Sequence, residues 1–86
     1  MKILYFAWLR TRIGHGEEEI DPPADVRTVG DLIGWLRGRG PGYESAFAQS
    51  ALIRAAIDQD YATPDRSLAG ATEVAFFPPV TGGCQW

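Results

Sequence analysis

Apolar residues crowd the first nine positions, with Ile3, Tyr5, Ala7 and Leu9 alternating with Leu4, Phe6 and Trp8. A run that is apolar on both pleat faces belongs in the middle of a sheet, so the pattern predicts a central strand over residues 2–9. Arg10 to Gly16 holds two glycines and reads as a turn. Glu17 to Ile20 then reads as a second strand that forms a hairpin with the first, and Asp21-Pro22-Pro23 ends it. The period next changes. Val29, Leu32, Ile33 and Leu36 recur at helical spacing and form one apolar stripe. Thr28 and Asp31 at its start make a capping-box variant, with Asp in place of the usual Glu or Gln. Gly38, Gly40, Pro41 and Gly42 stop this helix.

Tyr43 to Ser50 predicts a short second helix with Tyr43, Ala46 and Phe47 facing inward. Leu52 to Ile57 is strand-like, and the polar turn Asp58-Gln59-Asp60 leads into Tyr61-Ala62. Pro64 to Ala71 reads as a loop whose Leu68 plugs the core. Val74 to Phe77 is the last strand, cut off by Pro78-Pro79. A hairpin, a crossing helix and strands returning to the same sheet make an α+β layer pair. Placing the two most apolar strands, the first and the last, side by side at the centre gives a β-grasp: a mixed four- to five-stranded sheet with one main crossing helix. The domain is expected to span residues 1–79. Residues 80–86 contain two glycines and no periodicity, and are expected to form a flexible tail.

Composition narrows the function classes. A chain of 86 residues holds one domain with a radius of gyration of roughly 12 Å. It leaves little interior for a deep catalytic cleft. The net charge is -3 with scattered cations, so no phosphate-tracking stripe exists and nucleic acid is a poor partner. A mildly acidic surface suits a basic protein partner instead. No segment approaches the ~20 apolar residues of a membrane span, and Arg10 and Arg12 follow the opening run without a small-residue cleavage site. The expected location is the cytoplasm. One cysteine, Cys84, excludes an internal disulfide and a cysteine-cluster metal site.

Gly82-Gly83 alone carries little information in a chain with ten glycines. The conjunction of an apolar strand, a double proline and Gly-Gly within the last thirteen residues carries more. Prolines stop the sheet and hold the chain extended. The segment from Phe77 to Gly83 could then reach ~20 Å into a partner's active site. Glycine, lacking a Cβ, fits a narrow channel and leaves its carbonyl open to attack.

Phe76-Phe77-Pro78-Pro79-Val80-Thr81-Gly82-Gly83 resembles the C-terminal signature of the molybdopterin synthase small subunits, the MoaD family of ubiquitin-like sulfur carriers. Leu4-Tyr5-Phe6-Ala7 with Arg10 after it, Thr28-Val29-Gly30-Asp31-Leu32 and Glu73-Val74-Ala75-Phe76-Phe77 are similar too, so the resemblance covers essentially the whole chain. It implies a carrier without catalytic residues of its own. An ATP-dependent adenylyltransferase would activate the terminal glycine, sulfur transfer would give a thiocarboxylate, and the large synthase subunit would receive the tail in a heterotetramer. There the sulfur would pass to cyclic pyranopterin monophosphate during molybdenum cofactor biosynthesis. By the same resemblance, Gly83 bears the sulfur and Gly82 allows passage down the channel. Phe6, Arg10, Tyr61, Phe77, Pro78, Val80 and Thr81 face partners. No cofactor is expected to be bound to the chain itself; ATP is used by the activating partner.

Family members commonly end at the second glycine, whereas Cys84-Gln85-Trp86 follows here. Gly83 therefore lacks a free carboxylate until those residues are removed, which implies a processing protease. The alternatives are an unprocessed, inactive copy and a pure binding module. An N-to-S acyl shift at Gly83-Cys84 is a further route, but no neighbouring base drives it. Rival functions are a sulfur carrier for thiamine or cysteine biosynthesis, and a β-grasp interaction module or protein modifier that uses no sulfur. Elsewhere the residues invite ordinary readings. His15 between two glycines is a turn residue, Cys84 an exposed thiol, and Glu17-Glu18-Glu19 a solvated edge. The Tyr43/Phe47 and Trp8/Trp35 aromatics are core or rim. No phosphate loop, catalytic triad or metal motif is present.

Overall fold

The structure is a computed structural model that describes residues 1–48 and 52–78. Along the chain run β1 (Lys2–Tyr5), α1 (Trp8–Ile13), β2 (Glu17–Glu19), α2 (Val29–Arg37), α3 (Pro41–Phe47), β3 (Arg54–Ile57), β4 (Asp60–Ala62) and β5 (Glu73–Phe77). The five strands form one sheet in the order β2-β1-β5-β3-β4. β1 and β5 are parallel, and the remaining neighbours are antiparallel. The first and last strands thus lie side by side, with β5 at the centre. This is the β-grasp, with a five-stranded mixed sheet, and its Cα radius of gyration is 12.3 Å.

The alternation within each strand decides the core. Ile3, Tyr5, Ala55, Ile57, Val74 and Phe76 face one side and are buried. Against them pack Val29, Leu32, Ile33 and Leu36 of α2, Ala46 and Phe47 of α3, and Leu9 of α1. Leu68, from the loop before β5, closes one end of this core and is anchored by its N–H to the Arg27 carbonyl at 2.8 Å. The capping box at the start of α2 is formed as its sequence indicates. The Asp31 N–H donates to Thr28 Oγ1 at 3.1 Å, and the Thr28 N–H to Asp31 Oδ2 at 3.3 Å.

Two boundaries depart from the sequence reading. The apolar run over residues 2–9 is two elements, not one strand. β1 ends at Tyr5, and Ala7 adopts φ 57° and ψ -136°, which swings the chain into α1. Leu9 and Ile13 lie four residues apart, a helical spacing that the glycine-bounded segment Arg10 to Gly16 obscured; Leu9 is buried and Ile13 partly so. Gly14, at φ 104°, ends α1 with its N–H on the Arg10 carbonyl.

The second departure is at Pro41, read as a stop. It starts α3, because a residue without an N–H is well placed in a first helical turn. Gly42 then permits α3 to lie directly on α1: a Cβ there would sit 2.7 Å from the Arg12 carbonyl oxygen. α3 ends at Phe47. The expected end of that helix, Ser50, lies outside the described residues.

Candidate functional site

The face of the sheet turned away from the helices is built by the other half of each strand's alternation. The pairing registers set Glu17, Leu4, Ala75, Ala56 and Tyr61 in one row across all five strands. Arg54 lies opposite Phe77 in the neighbouring row. Phe6 follows β1, and its N–H donates to the Phe76 carbonyl at 3.1 Å, holding it beside the end of β5. Small side chains, Ala56 and Ala75, floor the middle, and larger apolar ones rise around them.

Phe6 is 49% and Tyr61 75% exposed, while Phe77 is half-buried. The Tyr61 and Phe77 rings meet at 5.8 Å between centroids, tilted by 55°. Together these side chains make a saddle of exposed and half-buried apolar groups, of the kind from which docking surfaces are built. Three of the sequence-predicted partner residues, Phe6, Tyr61 and Phe77, are therefore brought to one face.

Pro78 follows directly and is half-buried. Arg10 is exposed on α1 and lies against Gly16, where an added Cβ would meet its Nε at 3.1 Å. With Phe6 and His15 it borders an open depression of about 560 Å³ beside the end of β1. The expected sulfur-bearing and channel residues Gly83 and Gly82, and the expected contacts Val80 and Thr81, lie outside the described residues. β5 ends at Phe77, at the edge of the saddle.

The helix-side surface holds a cluster that the sequence reading missed. Glu18, taken there as part of a solvated edge, points inward from β2 and is only 15% exposed. It faces the same side as Ile3, its partner in the register, while Glu17 and Glu19 face out. The Tyr5 and Tyr43 hydroxyls donate to Glu18 Oε2 at 2.7 and 2.8 Å, and the Arg39 guanidinium donates to Oε1 at 2.9 Å. His15 Nε2 stands 3.3 Å from the same carboxylate and 3.3 Å from the Tyr43 hydroxyl, so this turn residue is part of the cluster.

Burial alone would raise the Glu18 pKa. The hydrogen bonds from Tyr5, Tyr43, His15 and Arg39 outweigh burial and bring it down to about 2. Burial and the bond to Glu18 both push the Tyr5 and Tyr43 phenols up. Every group is satisfied and none points at the saddle, so the cluster ties β2, the α1–β2 turn and α3 together. The strict alternation of a three-glutamate strand beside an apolar one was the signal for it.

Among the described residues, no three His, Cys, Asp or Glu side chains converge as a metal site, and no helix is long and apolar enough to cross a membrane.

Comparison with known proteins agrees with this geometry. Residues 3–83 match the model of the ThiS family, so the chain belongs to that family of small β-grasp proteins. Within it, the chain is 36% identical over 83 residues to the molybdopterin synthase sulfur carrier subunit of Escherichia coli K12, covering 96% of this chain and 99% of that one. The subunit of the same description from Mycosarcoma maydis is 35% identical over 89 residues, covering 96% and 92%. Among solved structures, SAMP1 from Haloferax volcanii superimposes with a TM-score of 0.74 at 31% identity, covering 96% of this chain and 98% of that one.

Proposed function

We infer that this chain is a MoaD-type sulfur carrier: the small, non-catalytic subunit of a molybdopterin synthase. The observation that carries the reading is the conjunction of an apolar outer face with a central strand that ends at Phe77, six residues before Gly83. Near-full-length identity to sulfur carrier subunits supports it. In this reading the domain comprises residues 1–79 and the tail residues 80–86. The saddle of Leu4, Phe6, Phe77 and Tyr61 docks the large subunit, and Arg10 lies at its rim. Docking fixes the origin of a tail that reaches ~20 Å to the second subunit's chemistry.

Gly83 is the acyl site. After residues 84–86 are removed by a protease, its carboxylate oxygen attacks the α-phosphorus of ATP on an adenylyltransferase and displaces pyrophosphate. Sulfur then replaces AMP at the carbonyl carbon, giving a thiocarboxylate. A thioacid is ionised at neutral pH and its sulfur is a soft nucleophile, suited to attack on a pterin precursor. The chain itself supplies position and the reacting carbonyl, and the partners supply proton transfer. The carrier works in the cytoplasm and binds no cofactor of its own.

Intact-mass spectrometry of the chain isolated from its own cells tests this. A species ending at Gly83, partly shifted by one oxygen-to-sulfur exchange, is the expected result. A chain that still ends at Trp86 and never gains sulfur under molybdenum-cofactor demand overturns it.

A further inference from the structure

Six of the seven arginines fall into two groups. On the helix side of the sheet, Arg12 lies over the Trp8 ring at 4.8 Å and donates to the Ser45 carbonyl, Arg37 pairs with Glu44, and Arg39 holds Glu18. Arg10, Arg54 and Arg66 border the outer face instead, and all three are exposed. Arg10 shares the depression beside Phe6. Arg54 stands opposite Phe77 in the β3–β5 register, and the Arg66 guanidinium reaches the Tyr61 carbonyl at 3.4 Å. Each ring of the saddle thus has an arginine next to it.

The acids around the same face are turned elsewhere. Glu19 and Glu73 flank Lys2 in the register, at the opposite end of the sheet from Phe77. Glu17, which also borders the depression, pairs with Lys2 at 3.7 Å, and Glu19 pairs with the Met1 ammonium at 3.0 Å. Asp60 precedes Tyr61 but lies opposite buried Ile57, so alternation turns it to the helix side. Asp65, beside Arg66, accepts from the Thr63 hydroxyl. The net charge of -3 suits a basic partner, yet the apolar part of the outer face is edged by cations. A partner in contact meets the nearby charges, because salt screens those more than about 10 Å away.

We propose that the patch docked on this face is apolar with carboxylates around it, and that Arg10, Arg54 and Arg66 steer it in and fix its orientation. The inference rests on the reading that the saddle docks the large synthase subunit, and it names the chemistry of that subunit's contact surface. Exposed ion pairs add little to affinity, but they raise the association rate and set the register of docking. The cations lie at one end of the face only. A partner turned by half a revolution would bring its carboxylates against Glu19 and Glu73, so the wrong orientation is repelled.

The test measures association of the full chain with the large subunit from the same cells by stopped-flow fluorescence, at ionic strengths from about 50 to about 500 mM. The variants are Arg54→Gln, Arg66→Gln and the two combined. Lys2→Gln, at the other end of the face, is the control with the same net charge as either single variant. The parent's rate is expected to fall about tenfold over this range of salt. At low salt each arginine variant should associate about 2–3-fold more slowly and the double variant about 5–10-fold, all converging on the parent at high salt, while Lys2→Gln stays close to the parent throughout. A parent rate that does not fall with salt overturns the inference and leaves the carrier reading standing. So do arginine variants as fast as the parent, or a Lys2→Gln chain slowed as much as they are, which would make net charge the cause. A parent chain that does not bind the large subunit at any salt overturns the carrier reading and the inference with it.

Discussion

Replacing Glu18 by Gln removes one charge from a cluster of four donors, and its effect on stability can be worked out as a function of pH. A carboxylate whose folded-state pKa is depressed stabilises the fold above its unfolded value and loses that contribution as pH falls through the folded value. For Glu18 the window runs from 4.5 down to about 2. Linkage over that interval sets a ceiling of roughly 3 kcal/mol above about pH 6, falling to roughly 1.5 kcal/mol at about pH 3. Glutamine keeps an acceptor for one tyrosine hydroxyl but turns an N–H₂ toward another donor. Glu18→Gln is therefore expected to lose about 2–3 kcal/mol at neutral pH and only about 1 kcal/mol near pH 3.

Urea unfolding followed by tryptophan fluorescence, run on both proteins across this range, isolates the Glu18 contribution, because the other carboxylates cancel in the difference. A gap between the two proteins that stays flat from neutral pH to about pH 3 would refute the linkage argument. A variant as stable as the parent at neutral pH would refute the cluster itself. The raised Tyr5 and Tyr43 phenols act at the other extreme. Their contribution is complete below about pH 10 and declines as pH rises beyond it, since only the unfolded chain ionises them readily.

Other expectations concern single sites. Tyr61→Ala and Phe77→Ala should each weaken binding to the large synthase subunit by about 1–2 kcal/mol in calorimetry. Tyr61→Ala, at a mostly exposed position, should leave the melting temperature nearly unchanged; affinity equal to the parent's in both variants would place docking elsewhere. Gly42→Ala should cost about 1–3 kcal/mol of stability, because its Cβ would meet the Arg12 carbonyl oxygen; a neutral denaturation midpoint would show that α3 can shift off α1. The two-residue β3–β4 turn places Asp58 at φ 47° and Gln59 at φ 75°. Gln59→Gly should stabilise the protein by about 0.5–1 kcal/mol in the same assay, and a loss would show that the glutamine side chain has a role of its own.

Most of the architecture was legible because strands and helices differ in period. The α2 stripe and its Thr28–Asp31 box followed from local spacing, the pairing of the first and last strands from their being the most apolar, and the plug at Leu68 from a lone large apolar residue in a polar loop. α1 escaped because a six-residue helix behind an apolar strand shows barely one period, and because its terminating Gly14 reads equally well as a turn. Pro41 escaped for a related reason: proline is excluded from helix interiors but favoured at their starts, and a short segment does not say which applies. On the site, Phe6, Tyr61 and Phe77 were found through resemblance, and their convergence on one face follows from register, which no single strand encodes. Glu18 was missed although alternation pointed it inward. Its four partners come from β1, the α1–β2 turn, the segment between α2 and α3, and α3 itself, and only tertiary structure joins them.

The parallel pairing of β1 with β5 also fixes the order of events during synthesis. The first strand waits, its inner edge unfilled, until about seventy further residues have left the ribosome. The strand that fills that gap is the one leading into the glycine end. A chain broken off before Phe77 therefore lacks a complete central strand as well as Gly82 and Gly83. A partner that recognises the closed outer face therefore meets no chain broken off before β5 is made.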